Sequence, residues 1–289
     1  MKLFSGTSNL ALSKKIAENL HIPLSDVEIT RFIDNECRVY VKEEVCGEDV
    51  FVVQSLSEIA DQHLVELCLL GTALKDLGAK KITAVIPWLG YSKQDKAFRK
   101  GEAISASLVA KFIEVAGFDN VITCELHSQK VLQYFHIPVV ELSTEKLFGQ
   151  YHGIVVSPDK GGKSRSEIFA KEAGLPIVYL TKKREGINVT MTGMSGSVSG
   201  VDCIIFDDII NTGATAVQTS KFLKKHGAKR IYFFVTHAVL AGDAAKKLDA
   251  SSIDQIVVTD TIFVPKEKQF PKLTIVSVAS VIADSIIKQ

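Results

Sequence analysis

Two pairs of segments in this chain match one another at nearly the same offset, and that repeat constrains the fold more than any single motif. Leu3-Phe4-Ser5-Gly6-Thr7, followed by a helical pattern over Leu10–Leu20, parallels Ile154-Val155-Val156-Ser157-Pro158 followed by Ser164–Ala173. LKDLGAKKITAVIPW (Leu74–Trp88) parallels LKKHGAKRIYFFVTH (Leu223–His237), each a helix stopped at Gly-Ala and a strand opening at Ile. One such pair arises easily, because Gly after a helix is a common stop; two pairs at an offset of about 150 residues indicate duplication. Apolar runs such as Val50–Val53, Ile82–Ile86, Val121–Cys124, Ile231–Thr236 and Gln255–Thr259 alternate with helical stretches. The expected class is therefore α/β, two tandem domains that each hold a mostly parallel sheet flanked by helices. The division is expected near Gly149–Gly153, giving domains over 1–149 and 150–289, with the closing strand-and-helix segment 273–289 able to pack back on the first.

Composition narrows the partners. The 289 residues suffice for two domains, and a hydrophobic fraction of 46% supports buried cores. With 34 basic and 33 acidic residues the net charge is +1, which argues against a general nucleic-acid binder, whose affinity rests on a basic surface. Any anion site has to be local. The five cysteines, Cys37, Cys46, Cys68, Cys124 and Cys203, are odd in number, lack metal-ligand spacing and lie mostly inside apolar runs, as buried thiols of a reducing compartment do. The opening MKLFSGTSNL carries no signal-peptide apolar region, and no apolar stretch reaches the roughly 20 residues of a membrane span. A cytoplasmic protein without membrane or nucleic-acid partners is expected.

The most specific single stretch is VDCIIFDDIINTGATA, Val201–Ala216. Cys203–Phe206 is a continuous apolar run, as in a strand buried on both faces, and Val217–His226 reads as a helix. Between them, Thr212, Gly213, Ala214 and Thr215 stand where the amides of a helix start can point at a phosphate, with two hydroxyls added. Asp207 and Asp208 can accept from vicinal ribose hydroxyls. A bare acid pair would fit a solvated loop equally well; the whole stretch is much more specific.

Five further signals follow strands or open loops, and each alone fits an ordinary surface segment. Thr30–Glu36 puts Phe32, Asp34 and Glu36 on one side if extended, an aromatic face with two acceptors suited to an adenine ring. WLGYSKQDK brings Lys93, Gln94, Asp95 and Lys96 just past a buried strand, where basic groups can hold a polyphosphate. Glu125-Leu126-His127-Ser128 ends a strand with a histidine. Pro158-Asp159-Lys160-Gly161-Gly162 offers an acid before a glycine turn, fit for phosphate approach or for an oxygen ligand to Mg²⁺. Thr181–Gly186 is a basic cluster ahead of a Gly-, Ser- and Thr-rich stretch that reads as a hairpin or lid able to close over developing charge.

Taken in order, FIDNE, YSKQDK, ELHS, PDKGG, KKRE and DDIINTGAT resemble the ribose-phosphate diphosphokinases, the PRPP synthetases, over almost the whole chain. The resemblance implies two phosphoribosyltransferase-like domains and transfer of the β,γ-diphosphoryl group of ATP to ribose 5-phosphate, with Mg²⁺ as cofactor. It implies a homo-oligomer, a dimer at least and a hexamer in many members, whose adenine site is shared between subunits. By resemblance Phe32, Asp34 and Glu36 bind adenine, Lys93, Gln94, Asp95 and His127 lie along ATP, and His127 and Asp159 are the metal-associated positions. Lys182 and Arg184 are the catalytic pair of a flexible loop, and Asp207, Asp208, Asn211, Thr212, Gly213, Ala214 and Thr215 hold ribose 5-phosphate. Four residues depart from the family's commonest pattern: Lys93 for Arg, Glu125 for Asp, Asn211 for an acid and Ala214 for Gly.

Three other readings compete. A phosphoribosyltransferase leaves the nucleotide-like motifs of the first half unexplained, and Asn211 removes the acid such enzymes use on the base. A non-catalytic homologue would have lost the loop cations, yet Lys182 and Arg184 are present. A PRPP-responsive regulator would need a basic DNA-binding appendage, and none is visible.

Overall fold

The computed structural model describes residues 1–149, 151–158, 161–185 and 188–289, except the side chains of residues 183–185 and 188–190. The chain divides into two compact units. The first comprises Met1–Thr144, Thr261–Phe263 and Ser277–Gln289; the second comprises Glu145–Asp260 and Val264–Val276.

In the first unit the chain runs β1 (Lys2–Ser5), α1 (Leu10–Leu20), β2 (Val27–Arg31), β3 (Cys37–Val41), β4 (Asp49–Val53), α2 (Ala60–Asp76), β5 (Lys81–Ile86), α3 (Ser105–Val115), β6 (Asn120–Cys124) and β7 (Val139–Leu142). Five of these strands form a parallel sheet in the order β1-β4-β5-β6-β7, while β2 and β3 pair apart as an antiparallel hairpin. Phe4, Val50, Val52, Ile82, Ala84, Ile86 and Val121 from the sheet pack with Leu64, Leu67, Leu70 and Leu74 of α2 in one apolar core.

The second unit holds β8 (Ile154–Ser157), α4 (Lys163–Ala173), β9 (Ile177–Glu185), β10 (Asn188–Met194), β11 (Cys203–Ile210), α5 (Ala214–Lys225), β12 (Ile231–Ala238), α6 (Ala244–Asp249), β13 (Gln255–Thr259) and β14 (Leu273–Val276). Its sheet runs β10-β9-β8-β11-β12-β13-β14 and is parallel except for the β9–β10 pair. The closing helix α7 (Ala279–Ile287) belongs to the first unit and packs on α1.

The apolar run at Cys203–Phe206 is buried on both faces, as its continuity predicts. Cys203 and Ile205 enter one core with Leu223 and Val235, whereas Ile204 and Phe206 enter the other with Phe169 and Phe234. Alternation along the strand therefore carries Asp208 to the side of Phe206, where α4 lies, and Asp207 to the opposite side. The matched segments of the sequence occupy matched places: α2 leads into β5 as α5 leads into β12, and β1 leads into α1 as β8 leads into α4. α5 starts at Ala214, three residues before the Val217 expected from sequence, because Gly213 takes a left-handed φ of 73° and turns the chain straight into the helix.

Candidate active site

In both units the chemistry-bearing residues collect where parallel strands end, the usual place for ligands in such sheets. In the second unit, Asp208 ends its strand run almost without exposure, at 2%, while 24% of the Asp207 side chain remains exposed. Arg165, in the first turn of α4, places one nitrogen against both acids: Nη1 lies 3.0 Å from Asp208 Oδ1 and 3.3 Å from Asp207 Oδ1. Asp207 Oδ1 also accepts from the Asp208 amide at 3.0 Å. Burial first, and then the neighbouring Asp208 charge, push the Asp207 carboxyl well above the ordinary carboxylate range, with Arg165 pulling the other way.

Immediately downstream, Asn211, Thr212, Ala214 and Thr215 are exposed and Gly213 is buried. α5 has no side-chain cap, and among the described residues no protein acceptor takes the amides of Thr212, Gly213, Ala214 or Thr215. These are the orphan donors of a helix start, an anion site in their own right. The turn is held from behind. Val239 and Leu240 donate to the Ile210 carbonyl and Ala241 to that of Asn211, and a Cβ on Gly213 would stand 3.1 Å from Leu248 Cγ.

The basic hairpin is formed by β9 and β10, in which Lys182 pairs in register with Met191 and Arg184 with Val189. Lys182 is half-buried. The Arg184 side chain and Asp159 lie outside the described residues.

In the first unit, Gly90 passes so close to Leu56 that a Cβ would come 2.3 Å from the Leu56 carbonyl oxygen. Only glycine allows the loop that follows β5 to fold down this way. That loop then presents Lys93, Gln94 and Asp95. Ser105 Oγ donates to Gln94 Oε1 at 2.6 Å, Ser128 Oγ to Asp95 Oδ2 at 2.7 Å, and Tyr134 Oη to the Asp95 carbonyl at 2.7 Å. His127, one residue before Ser128, is exposed. Glu125, at a φ of 31°, accepts from the Thr144 amide at 3.0 Å and ties the end of β6 to the segment after β7.

Phe32, Asp34 and Glu36 do not form an extended run, so the alternation argument fails for them. They belong to the turn between β2 and β3: Asn35 adopts a φ of 69°, its amide donates to the Phe32 carbonyl at 2.9 Å, and the Glu36 amide donates to Asp34 Oδ1 at 3.3 Å. An Asp-Asn pair favours such a turn over a strand. All three are exposed, Phe32 at 54%, and none bonds to the loops after β5 and β6.

Sequence reasoning missed Arg165 and also the polar cluster at the matching place in the first unit. There Glu66 of α2, 1% exposed, accepts from the Thr7 amide at 2.7 Å, Thr7 Oγ1 at 2.8 Å and Gln54 Nε2 at 2.6 Å; Gln54 Oε1 accepts from the Ser8 amide at 3.0 Å.

Comparison with known proteins bears on the fold and the family. The family model described as the N-terminal domain of ribose phosphate pyrophosphokinase matches residues 1–117, and that of the phosphoribosyl synthetase-associated domain matches residues 153–289. A ribose-phosphate pyrophosphokinase of Campylobacter jejuni is 39% identical over 99% of this chain and 94% of its own. One from Caldanaerobacter subterraneus is 38% identical over 100% of this chain and 94% of its own. The crystal structure of phosphoribosylpyrophosphate synthetase from Mycobacterium smegmatis superposes with a TM-score of 0.92 at 32% identity, covering 99% of this chain and 97% of that one. The chain belongs to the ribose-phosphate pyrophosphokinase family.

Proposed function

We propose that this protein transfers the β,γ-diphosphoryl group of ATP to the 1-hydroxyl of ribose 5-phosphate, giving PRPP and AMP, with the sugar phosphate on the second unit and the nucleotide on the first. One observation carries the sugar side: an acid pair, Asp208 buried and Asp207 partly exposed, directly precedes a row of helix-start amides that no protein acceptor takes among the described residues. Asp207 and Asp208 accept from the vicinal hydroxyls, while the amides of Thr212–Thr215 and the hydroxyls of Thr212 and Thr215 donate to the 5-phosphate. Asn211 lines the same turn and carries no charge, which disfavours a transferase acting on a nucleobase.

On the nucleotide side, Lys93, Gln94 and Asp95 lie along ATP, and the Ser128 bond to Asp95 supports this by fixing the acid's direction. His127 and Asp159 are the residues that would hold Mg²⁺, together with the ATP phosphates. Such a set fits a cation that keeps most of its waters and takes one or two protein ligands. When bound, Mg²⁺ would neutralise charge on the ATP phosphates.

The sugar 1-hydroxyl attacks the β-phosphorus in line, the bond from that phosphorus to the α–β bridging oxygen breaks, and AMP leaves. Lys182 and Arg184 stabilise the charge that builds on the phosphoryl oxygens and the leaving group. Phe32, Asp34 and Glu36 complete the adenine site of a neighbouring subunit in a homo-oligomer; their exposure on a hairpin tip, with Ile33 fully exposed beside them, supports this. Among the described residues no helix is long and apolar enough to cross a membrane, and the reading includes a cytoplasmic location.

A ³¹P NMR time course of the purified protein with Mg-ATP and ribose 5-phosphate tests the proposal. AMP and PRPP should appear together, and only when the sugar phosphate is present. ATP bound without turnover would point instead to a non-catalytic homologue.

A further inference from the structure

We propose that Arg165 is a positioning residue for the sugar: its guanidinium bridges Asp207 and Asp208 and aligns them as acceptors for ribose hydroxyls. This rests on the reading of the acid pair as the sugar side of the site.

The first ground is geometry. Two carboxylates adjacent in sequence, one of them 2% exposed, repel each other in a poorly hydrated place, and burial together with that repulsion raises the Asp207 carboxyl while Arg165 opposes the rise. Without Arg165 the pair would hold its proton more firmly and lose its fixed direction, and a protonated carboxyl donates where a sugar hydroxyl needs an acceptor. Arg165 Nη1 meets both acids at hydrogen-bond distance, and its side chain is itself only 17% exposed. Desolvation strengthens both contacts relative to a surface pair. Among the described residues, Arg165 from α4 is a cation within hydrogen-bond distance of both acids. Its guanidinium stays charged at any pH the protein meets.

The second ground is that Arg165 stands where a helix disfavours it. The first turn of α4 contains Lys163, Ser164 and Arg165 and no acid, although the positive end of a helix dipole favours Asp or Glu there and penalises cations. Lys163 offsets its position by pairing with Glu167 at 3.8 Å and lying over the Tyr179 ring at 5.1 Å. Arg165 instead reaches away from its own helix to the acids on β11. A residue that violates the local helix preference and pairs with both acids of the site reads as placed for the site.

The third ground concerns which substitutions it tolerates. Both contacts run through a single nitrogen, so the bridge does not use the two-pronged fork that distinguishes arginine from lysine. A lysine ammonium can therefore substitute for it in part, and an isosteric apolar residue cannot.

Steady-state kinetics of full-length Arg165→Met, Arg165→Lys and Asp208→Asn, each with Mg-ATP and ribose 5-phosphate varied separately, tests this. Arg165→Met should raise the KM for ribose 5-phosphate at least about tenfold, a step equivalent to 1.4 kcal/mol, while the KM for ATP stays within about twofold. Arg165→Lys should recover most of the loss and show the same confinement to the sugar. Equal rises in both KM values, a fall in kcat alone, or a lysine variant no better than methionine would overturn the proposal. If the methionine variant does not fold, the lysine variant decides: a sugar-specific KM rise supports the role, and a kcat-only change or none refutes it. Asp208→Asn separates the two levels. If it raises the sugar KM while the Arg165 variants do not, only the positioning role fails; if it leaves the sugar KM unchanged, the reading of the acid pair itself fails.

Discussion

Ser128 donates its hydroxyl to Asp95 at 2.7 Å, joining the loop after β6 to the loop after β5. The bond turns two separately weak motifs into one surface, because the residue beside the exposed His127 fixes the direction of an acid in the Lys93–Asp95 group. Ser128→Ala removes a half-buried hydrogen bond to a charged group, worth about 1.5–3 kcal/mol. The expected outcome is a KM for ATP raised about fivefold or more, with the KM for ribose 5-phosphate unchanged. Separate titrations of the two substrates check it, and a change in the sugar KM alone would contradict it.

Lys182→Ala is expected to lower kcat by about a hundredfold or more, the scale of removing a group aimed at transition-state charge. Lys182 is only half-buried on the β9–β10 hairpin, so the urea midpoint should barely move. Unchanged turnover would remove Lys182 from the chemistry.

The raised carboxyl of Asp207 carries a pH signature with a definite sign. Because its folded pKa lies above its unfolded one, the folded protein binds more protons than the unfolded chain between the ordinary carboxylate range and that raised value. Stability contributed by this group is therefore greatest below the unfolded pKa and falls as pH rises through the window. Urea midpoints of the wild type and Asp207→Asn, measured from pH 4 upward, should diverge with a wild-type deficit that grows toward alkaline pH and then levels. Parallel curves would show that the pair does not titrate in that range.

Glu66→Ala should cost about 3 kcal/mol of stability, since it strands the Thr7 amide, the Thr7 hydroxyl and the Gln54 amide group in a site that is 1% exposed. Urea unfolding measures it directly, and a loss below about 1 kcal/mol would mean that water takes over those bonds. The residue is remote from the acid pair in sequence and role, so kcat under stable conditions should hold.

What could be read from the sequence was what depends on local pattern. Cys203–Phe206 announces a doubly buried strand because four successive apolar residues fit nothing else between those flanks, and the matched LKDLGAKK and LKKHGAKR segments announce the duplication because a helix stop and a strand start recur together. What stayed hidden depends on where long side chains meet in three dimensions. Arg165 lies 42 residues from Asp207 in the chain and gives one local sign, a cation in a helix's first turn. The turn at Phe32–Glu36 was misread because period-two alternation was applied to residues whose Asp-Asn chemistry closes a hairpin.

The polar cluster in the first unit has an implication for the duplicated architecture. Gln54 stands one residue past the position opposite Ser5, the last residue of β1, as Asp207 stands one past the position opposite Ser157, the last of β8. Where the second copy keeps an acid, the first carries a neutral amide whose side chain lies so close to the following turn that a Cβ on Gly6 would come within 2.4 Å of it. In the first unit the corresponding turn is thus filled by the protein's own side chains, with Glu66, Gln54 and Thr7 bracing one another. On the function proposed above, ribose 5-phosphate should therefore titrate to one equivalent per chain, held by the second unit.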